Sequence, residues 1–212
     1  MNKEDILKEI RKNIVNENIY PRRSDCCDIE EQVFQYVVLD NIECYRITFS
    51  NCKFINVQFL DNRIEWIEFE ECEFENTVFS GKYENVLMTI MESCFRNCEV
   101  RDFEFQGYDA QSELVRCHFD SCSFNNIKIN ADLSIIGGNV VDSQVVDLSE
   151  KMNMIMNVKF SDTTFQNVHM QAAILKNSFN KIEMNNVNMD KECVIENNKY
   201  ENCYIDNKLV ES

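Results

Sequence analysis

The chain has 212 residues, and 21 Lys and Arg against 37 Asp and Glu leave a formal charge of −16 at pH 7. That balance repels nucleic acid and anionic membrane surfaces and favours a protein partner with a basic face. No Pro/Gly/Ser-rich stretch divides the chain, the amino terminus MNKEDILKEIRKN is charged where a signal peptide needs an apolar core, and no apolar run approaches membrane-spanning length. One cytoplasmic domain is expected. The 11 cysteines are odd in number and the chain is too long to need staples, so reduced thiols are expected rather than a disulfide scaffold.

Residues 3–16 place Ile6, Leu7, Ile10 and Ile14 at helical spacing among charges, which predicts an amphipathic helix across one end of the fold. A second short helix is expected over 25–35, so that 1–33 form a helical cap. Beyond it the dominant signal is a period of five. Phe49, Phe54, Phe59, Ile64, Phe69, Phe74 and Phe79 follow one another at that step, and Cys44, Leu39 and Phe34 extend it backward. An α-helix would spread such a step around its circumference, and a straight strand would alternate it between faces. The chain must therefore turn a corner within each five.

A three-residue extended piece with its first and third side chains inward, followed by a two-residue corner, satisfies the pattern. With the large residue called i, the second inward position is i−2, filled by Ile47, Cys52, Val57, Asn62, Ile67, Cys72 and Thr77. These are mostly small or β-branched, as a narrow interior requires. Position i−1, as in Lys53, Gln58, Arg63, Glu68 and Glu73, faces water. The corner position i+2 is Asn at 41, 51, 56, 76, 97, 126, 167, 186, 202 and 207, a residue that tolerates the left-handed region.

Beyond Phe79 the phase continues in shorter runs: Ile90, Phe95, Val100, Phe105; Leu114, Phe119, Phe124, Ile129; Ile136, Val141, Val146; Ile155, Phe160, Phe165, Met170, Leu175; Phe179, Met184, Met189; and Ile195, Tyr200, Ile205, Val210. Gly81, Gly107, Gly137 and Gly138 fall in the first three junctions, where bulged backbone is expected. These residues resemble the pentapeptide-repeat family, whose motif is written A-(D/N)-L-x-x with Leu or Phe at its centre. The resemblance covers 34–210, with Cys, Val or Ile where the family prefers Ala. It implies an all-β solenoid, a right-handed quadrilateral β-helix with four pentapeptides per coil. About nine coils at roughly 4.8 Å give a rod on the order of 43 Å long. The helical cap would cover its first edge and belong to the same structural unit.

Little in the chain points to catalysis, and no cofactor or metal site is expected. His118 and His169, the only histidines, fall at outward positions far apart in the coil count, and no nucleophile-elbow, Walker or dinucleotide motif is present. Cysteines 52, 72, 98, 117, 122, 193 and 203 fall at i−2, where Cys acts as a small buried hydrophobe. The adjacent Cys26 and Cys27 are poor joint ligands for zinc. The most informative surface is residues 61–75, where Asp61, Glu65, Glu68, Glu70, Glu71, Glu73 and Glu75 face one base, Arg63, with Trp66 at an outward corner among them. An exposed Trp in a charged rim has the composition of an interface anchor.

A non-enzymatic protein–protein interaction or scaffold module with an acidic, rod-like surface is therefore expected. The family resemblance implies an alternative, because its quinolone-resistance members are acidic rods that imitate duplex DNA and bind DNA gyrase and related topoisomerases. Twenty residues behind Glu70 and Glu75 lie Ser50 and Ile55, and ahead lie Met91 or Phe95, so the acid reads as a belt more than a stripe. An enzyme is the remaining class and the least supported. At the carboxyl end no capping helix follows the repeat, and Tyr200, Tyr204, Ile205, Leu209 and Val210 are expected to join two copies in a homodimer through residues 195–212.

Overall fold

Five-residue sides and left-handed corners together make a four-sided parallel β-solenoid. The computed structural model describes residues 4–6, 8, 26–40, 42–107, 112–131, 133–189, 191, 193–206 and 208–210. One side is a nine-stranded parallel sheet running from Val33–Gln35 through Lys53–Ile55, Glu73–Glu75 and onward to Lys199–Glu201. Its centres are Phe34, Phe54, Phe74, Phe95, Phe119, Val140, Phe160, Phe179 and Tyr200, in register from coil to coil. The second side is centred on Leu39, Phe59 and Phe79, the third on Cys44 and Ile64, and the fourth on Phe49 and Phe69. These three sides join in a 16-stranded sheet, because strands such as Arg63–Glu70 run without a break around the corner between the third and fourth sides.

The other three corners each need a residue at positive φ. Asn51, Asn56, Asn76, Asn97, Asn126, Asn167, Asn186 and Asn202 all lie there, between 49° and 54°. Asn41 and Asn207 lie outside the described residues. Asn is favoured because its short polar side chain reduces the cost of the left-handed well. Inside, the phenylalanines stack along the axis. Phe34, Phe54, Phe74, Phe95 and Phe119 have successive centroid separations of 4.8, 4.8, 4.4 and 4.6 Å. Phe49 and Phe69 meet Phe54 edge-on from the fourth side. The coil rise of a β-sheet is itself the offset-stacking distance of two rings, so one residue type per side fills the core at every level.

Four features differ from expectation. Cys26–Glu30, expected within a second helix, is a strand paired in parallel with Arg46–Ser50, because Cys27 and Ile29 alternate inward with period two and occupy the i−2 and i positions of a first coil. In the coil expected to centre on Ile136, Val141 and Val146, the centres are Ile135, Val140 and Val145. Gly137 (φ +69°) takes the left-handed corner beside Arg116, and Gly138 takes the inward slot, where a Cβ would stand 1.9 Å from the Cys117 carbonyl oxygen. Ile174 replaces Leu175 as a centre, after a register shift between Lys151 and Met154. Finally, the repeat does not run on to Val210: Lys208–Val210 folds back antiparallel on Cys203–Ile205.

At the amino end, Glu4, Asp5, Ile6 and Lys8 are helical, and Ile6 is fully buried in one cluster with Cys27 and Phe34. Leu7, Ile10 and Ile14 of the expected helix lie outside the described residues. The helical part described is too short to cross a membrane.

Phe54 touches rings above, below and beside it. Phe54→Ala should lower the unfolding free energy by about 3–5 kcal/mol, and Phe54→Asp should prevent folding by placing an unpaired charge in a dry core. Denaturant melts followed by circular dichroism check both.

Candidate interaction surface

The inward i−2 residues do more than fill space. Cys52 Sγ donates to the Ile29 carbonyl (3.4 Å), Cys72 to Phe49 (3.3 Å), Cys117 to Ile90 (3.3 Å) and Cys203 to Phe179 (3.3 Å), while Thr77 Oγ1 donates to Phe54 (3.1 Å). In each case the acceptor is the centre residue of the preceding side, one coil back. Asn62 and Asn177 close both groups of such a corner. Their Nδ2 atoms donate to Leu39 (2.9 Å) and Ile155 (3.0 Å), and their Oδ1 atoms accept from the Ile42 and Val158 amides (2.9 Å each). Reading Cys only as a small hydrophobe missed this role. The signal was present in the sequence, since Cys, Thr, Ser and Asn share one position and have a donor in common.

Cys193, at the last coil, is half-buried, whereas the other six cysteines expected to face inward are buried. Cys72 and Cys98 are pushed up by hydrogen bonding to the thiols of Cys52 and Cys122 on neighbouring coils, and then by burial. Burial pushes the Cys117 thiol up to about 11. Among the described residues no three His, Cys, Asp or Glu side chains gather as a metal site would need. His118 and His169 both stand on outer faces, half-buried, and Asn139 Nδ2 lies 3.2 Å from His118 Nδ1 on the next coil.

The acidic residues of 61–75 all belong to one coil, and the ladder shows what stands on either side. Glu68 lies between Thr48 and Thr89, Glu70 between Ser50 and Met91, Glu73 between Lys53 and Cys94, and Glu75 between Ile55 and Arg96. At these strand positions the acid is bordered by neutral and basic residues, whereas at the corner Glu71 stands between Asn51 and Glu92, with Glu31 one coil further back on the same line. A one-residue insertion puts Arg96 rather than Phe95 beside Glu75. Within the belt, Glu73 pairs with Lys53 at 3.0 Å, Glu68 accepts from Thr48 Oγ1 at 2.9 Å, and Asp61 accepts from the Lys82 amide at 3.3 Å. Glu65, Glu70, Glu71 and Glu75 are exposed and make no ion pair among the described residues.

Trp66 is not the exposed anchor that its position suggested. The corner between the third and fourth sides is continuous strand, and along it Arg46, Trp66 and Leu87 form a ladder. The indole is half-buried, its Nε1 is shielded from solvent, and the Arg46 guanidinium stands 5.8 Å from the ring centroid. At the carboxyl end, Tyr200 stacks on Phe179 at 5.1 Å and is half-buried. Tyr204 and Leu209 face each other across the terminal hairpin, 45% and 51% exposed, and Ile205 is half-buried. Val210 pairs with Cys203, and its side chain lies outside the described residues.

A family model for the BspA type leucine-rich repeat region matches this chain in six copies, over residues 62–176 and 88–206. The chain belongs to that family. Leucine-rich repeats have a period of 20–29 residues with Asn or Cys at a fixed place. Its coils meet that description: Phe54 to Phe74 is 20 residues, Phe95 to Phe119 is 24, and Asn or Cys recurs at the inward corner. The expected pentapeptide resemblance is strictest over 34–79, most of which lies outside the match, and the family model matched over the rest describes a different repeat family. No curated protein matches the chain. Among solved structures it is similar to HetL, a pentapeptide repeat protein involved in heterocyst differentiation regulation in the cyanobacterium Nostoc sp. strain PCC 7120. That pair has 8% identity over 99% of this chain and 100% of that one, with a TM-score of 0.32. It is also similar to a trypsin-treated form of QnrB1, a plasmid-mediated fluoroquinolone resistance protein, at 9% identity over 82% and 90% of the two chains, with a TM-score of 0.35.

Trp66→Ala should lower stability by about 2 kcal/mol, roughly half the loss of a fully buried aromatic, read from denaturant melts. The Cys117 thiol binds its proton more tightly folded than unfolded. Its contribution is therefore complete below the unfolded value near 9 and is lost as pH rises toward about 11. The melting temperature should fall across that window, and fall less in Cys117→Ser.

Proposed function

We propose that the protein is a non-enzymatic interaction module that docks a partner with a basic surface against the acidic belt. The observation that supports this reading is the set of exposed carboxylates on one coil, Glu65, Glu70, Glu71 and Glu75, which form no ion pair among the described residues. They stand on a rigid ladder, so their spacing is set by strand geometry, and a partner meets charges already ordered. At its strand positions the belt does not continue along the rod, and only the corner line of Glu31, Glu71 and Glu92 carries acid across coils, which weighs against the version in which the chain imitates duplex DNA for gyrase. The five-residue sides support placing the first coils with pentapeptide arrays. Cys52, Cys72, Cys94, Cys98, Cys117, Cys122, Cys193 and Cys203 are free thiols, which supports a reducing compartment such as the cytoplasm.

Affinity capture with the wild-type chain and with the triple variant Glu70→Lys, Glu71→Lys, Glu75→Lys tests the proposal. A partner held by the wild type, released by salt and lost from the triple variant is expected, with both proteins melting alike. Equal capture by both would refute it, and purified gyrase tested in parallel decides the alternative.

The carboxyl end supports a homodimer. Val194, Ile195, Tyr204 and Leu209 are exposed there, and Val194–Glu196 and Lys199–Glu201 have no further strand beyond them among the described residues. The terminal hairpin covers only the edge of Cys203–Ile205. Light scattering after size exclusion should give twice the 25.1 kDa chain mass at tens of micromolar, reverting toward monomer in Ile205→Lys.

A further inference from the structure

The two halves of the core are filled differently. From Cys27 to Cys122 the interior is one cluster built on stacked phenylalanines. From Leu133 to Cys203 a second cluster takes over, and its fourth side is aliphatic at every level, with Ile135, Ile155, Ile174 and Ile195 in one ladder. On the first side the aromatic ladder is broken at Val140, which sits between Phe119 and Phe160. Replacing rings by branched aliphatics removes volume from the axis while the strand ladder holds the walls at fixed separation.

The result is an internal cavity of about 200 Å³ bounded by all four sides from Leu114 to Ile205. Its wall is aliphatic, Phe and Met side chains with the ring of Tyr200, and contains no charged residue. From Leu114 to Ile195 is four coil steps, roughly 19 Å at the spacing of paired strands. The space is therefore long and narrow. Ile195 lines it and is also 47% exposed, so the cavity meets solvent at the last coil. An apolar cavity of this size stays dry and has affinity for apolar ligands.

We propose that this cavity is a binding site for a linear aliphatic chain, such as an acyl tail, which enters end-on past Ile195 and leaves its polar head outside. The length of the space selects an extended chain over a compact ring system. The wall offers no charged group that could receive a head group inside. Met170, Met184 and Met189 line it and adapt to an unbranched guest. A second copy joined at this end, as in the homodimer proposed above, would cover the mouth and reach only the last coil, whereas the cavity reaches Leu114, so the aliphatic chain enters the monomer.

The test uses cis-parinaric acid, a linear polyene fatty acid that fluoresces in apolar surroundings, titrated into the full chain. Saturable enhancement with one probe per chain is expected, and tetradecane, which has no head group, should displace it. Val140→Phe completes the ring ladder and fills the space, so it should weaken binding at least about ten-fold with the melting temperature unchanged or raised. Ile155→Phe serves the same purpose if the first variant does not fold. Absence of saturable binding to the wild type, failure of tetradecane to compete, or undiminished affinity in a folded filled variant would each overturn the proposal.

Discussion

Three of the four corners of each coil break the strand ladder and turn backbone groups toward a buried apolar interior, and the rest of the structure follows from how those groups are satisfied. A strand ladder pairs the extended pieces, but it is interrupted where the chain bends. The carbonyl of a centre residue is then met by the inward side chain of the next coil, as Cys72 meets Phe49 and Thr77 meets Phe54. A buried carbonyl left without a donor costs about 1–3 kcal/mol, and there are several corners in each coil. That requirement explains why the inward small position is Cys, Thr, Ser or Asn so often.

The same constraint decides how much was legible from residues alone. Where sides are five residues long without insertion, from Phe34 to Phe79, inward centres, small inward positions and Asn corners all stand where the period places them. Prediction slipped where another residue type took over a corner's task. Gly137 and Gly138 occupy a corner and an inward slot without any side chain to mark them, so the centres of that coil stand one residue earlier than the apolar pattern suggests. Cys27 and Ile29 belong to a first coil that precedes the clear run of phenylalanines, and a short alternating segment looks much like part of a helix.

The candidate surface was legible as composition and less so as geometry. Its seven carboxylates share one coil, as their spacing implied, and the ladder shows that neighbouring coils do not continue Glu68, Glu70, Glu73 or Glu75, while Glu92 continues Glu71 at the corner. Trp66 was misplaced because one corner of the four is continuous strand with no left-handed residue, which lays the indole along the wall beside Arg46. The core carries a further asymmetry that the period hides. Phe and Ile both satisfy the apolar position, but a ring fills more of the axis than a branched aliphatic chain, and a cavity of about 200 Å³ lies where the aliphatic centres take over, from Leu114 to Ile205.

Asn177 offers the most direct measurement of the central claim, because it is 1% exposed and closes both the Ile155 carbonyl and the Val158 amide. Asn177→Leu keeps the size of the side chain and increases its hydrophobicity. If satisfaction of corner backbone groups holds the coil together, that substitution lowers the unfolding free energy by about 2 kcal/mol or more in urea melts. Equal or greater stability would show that apolar filling alone sustains the fold, and would contradict the account.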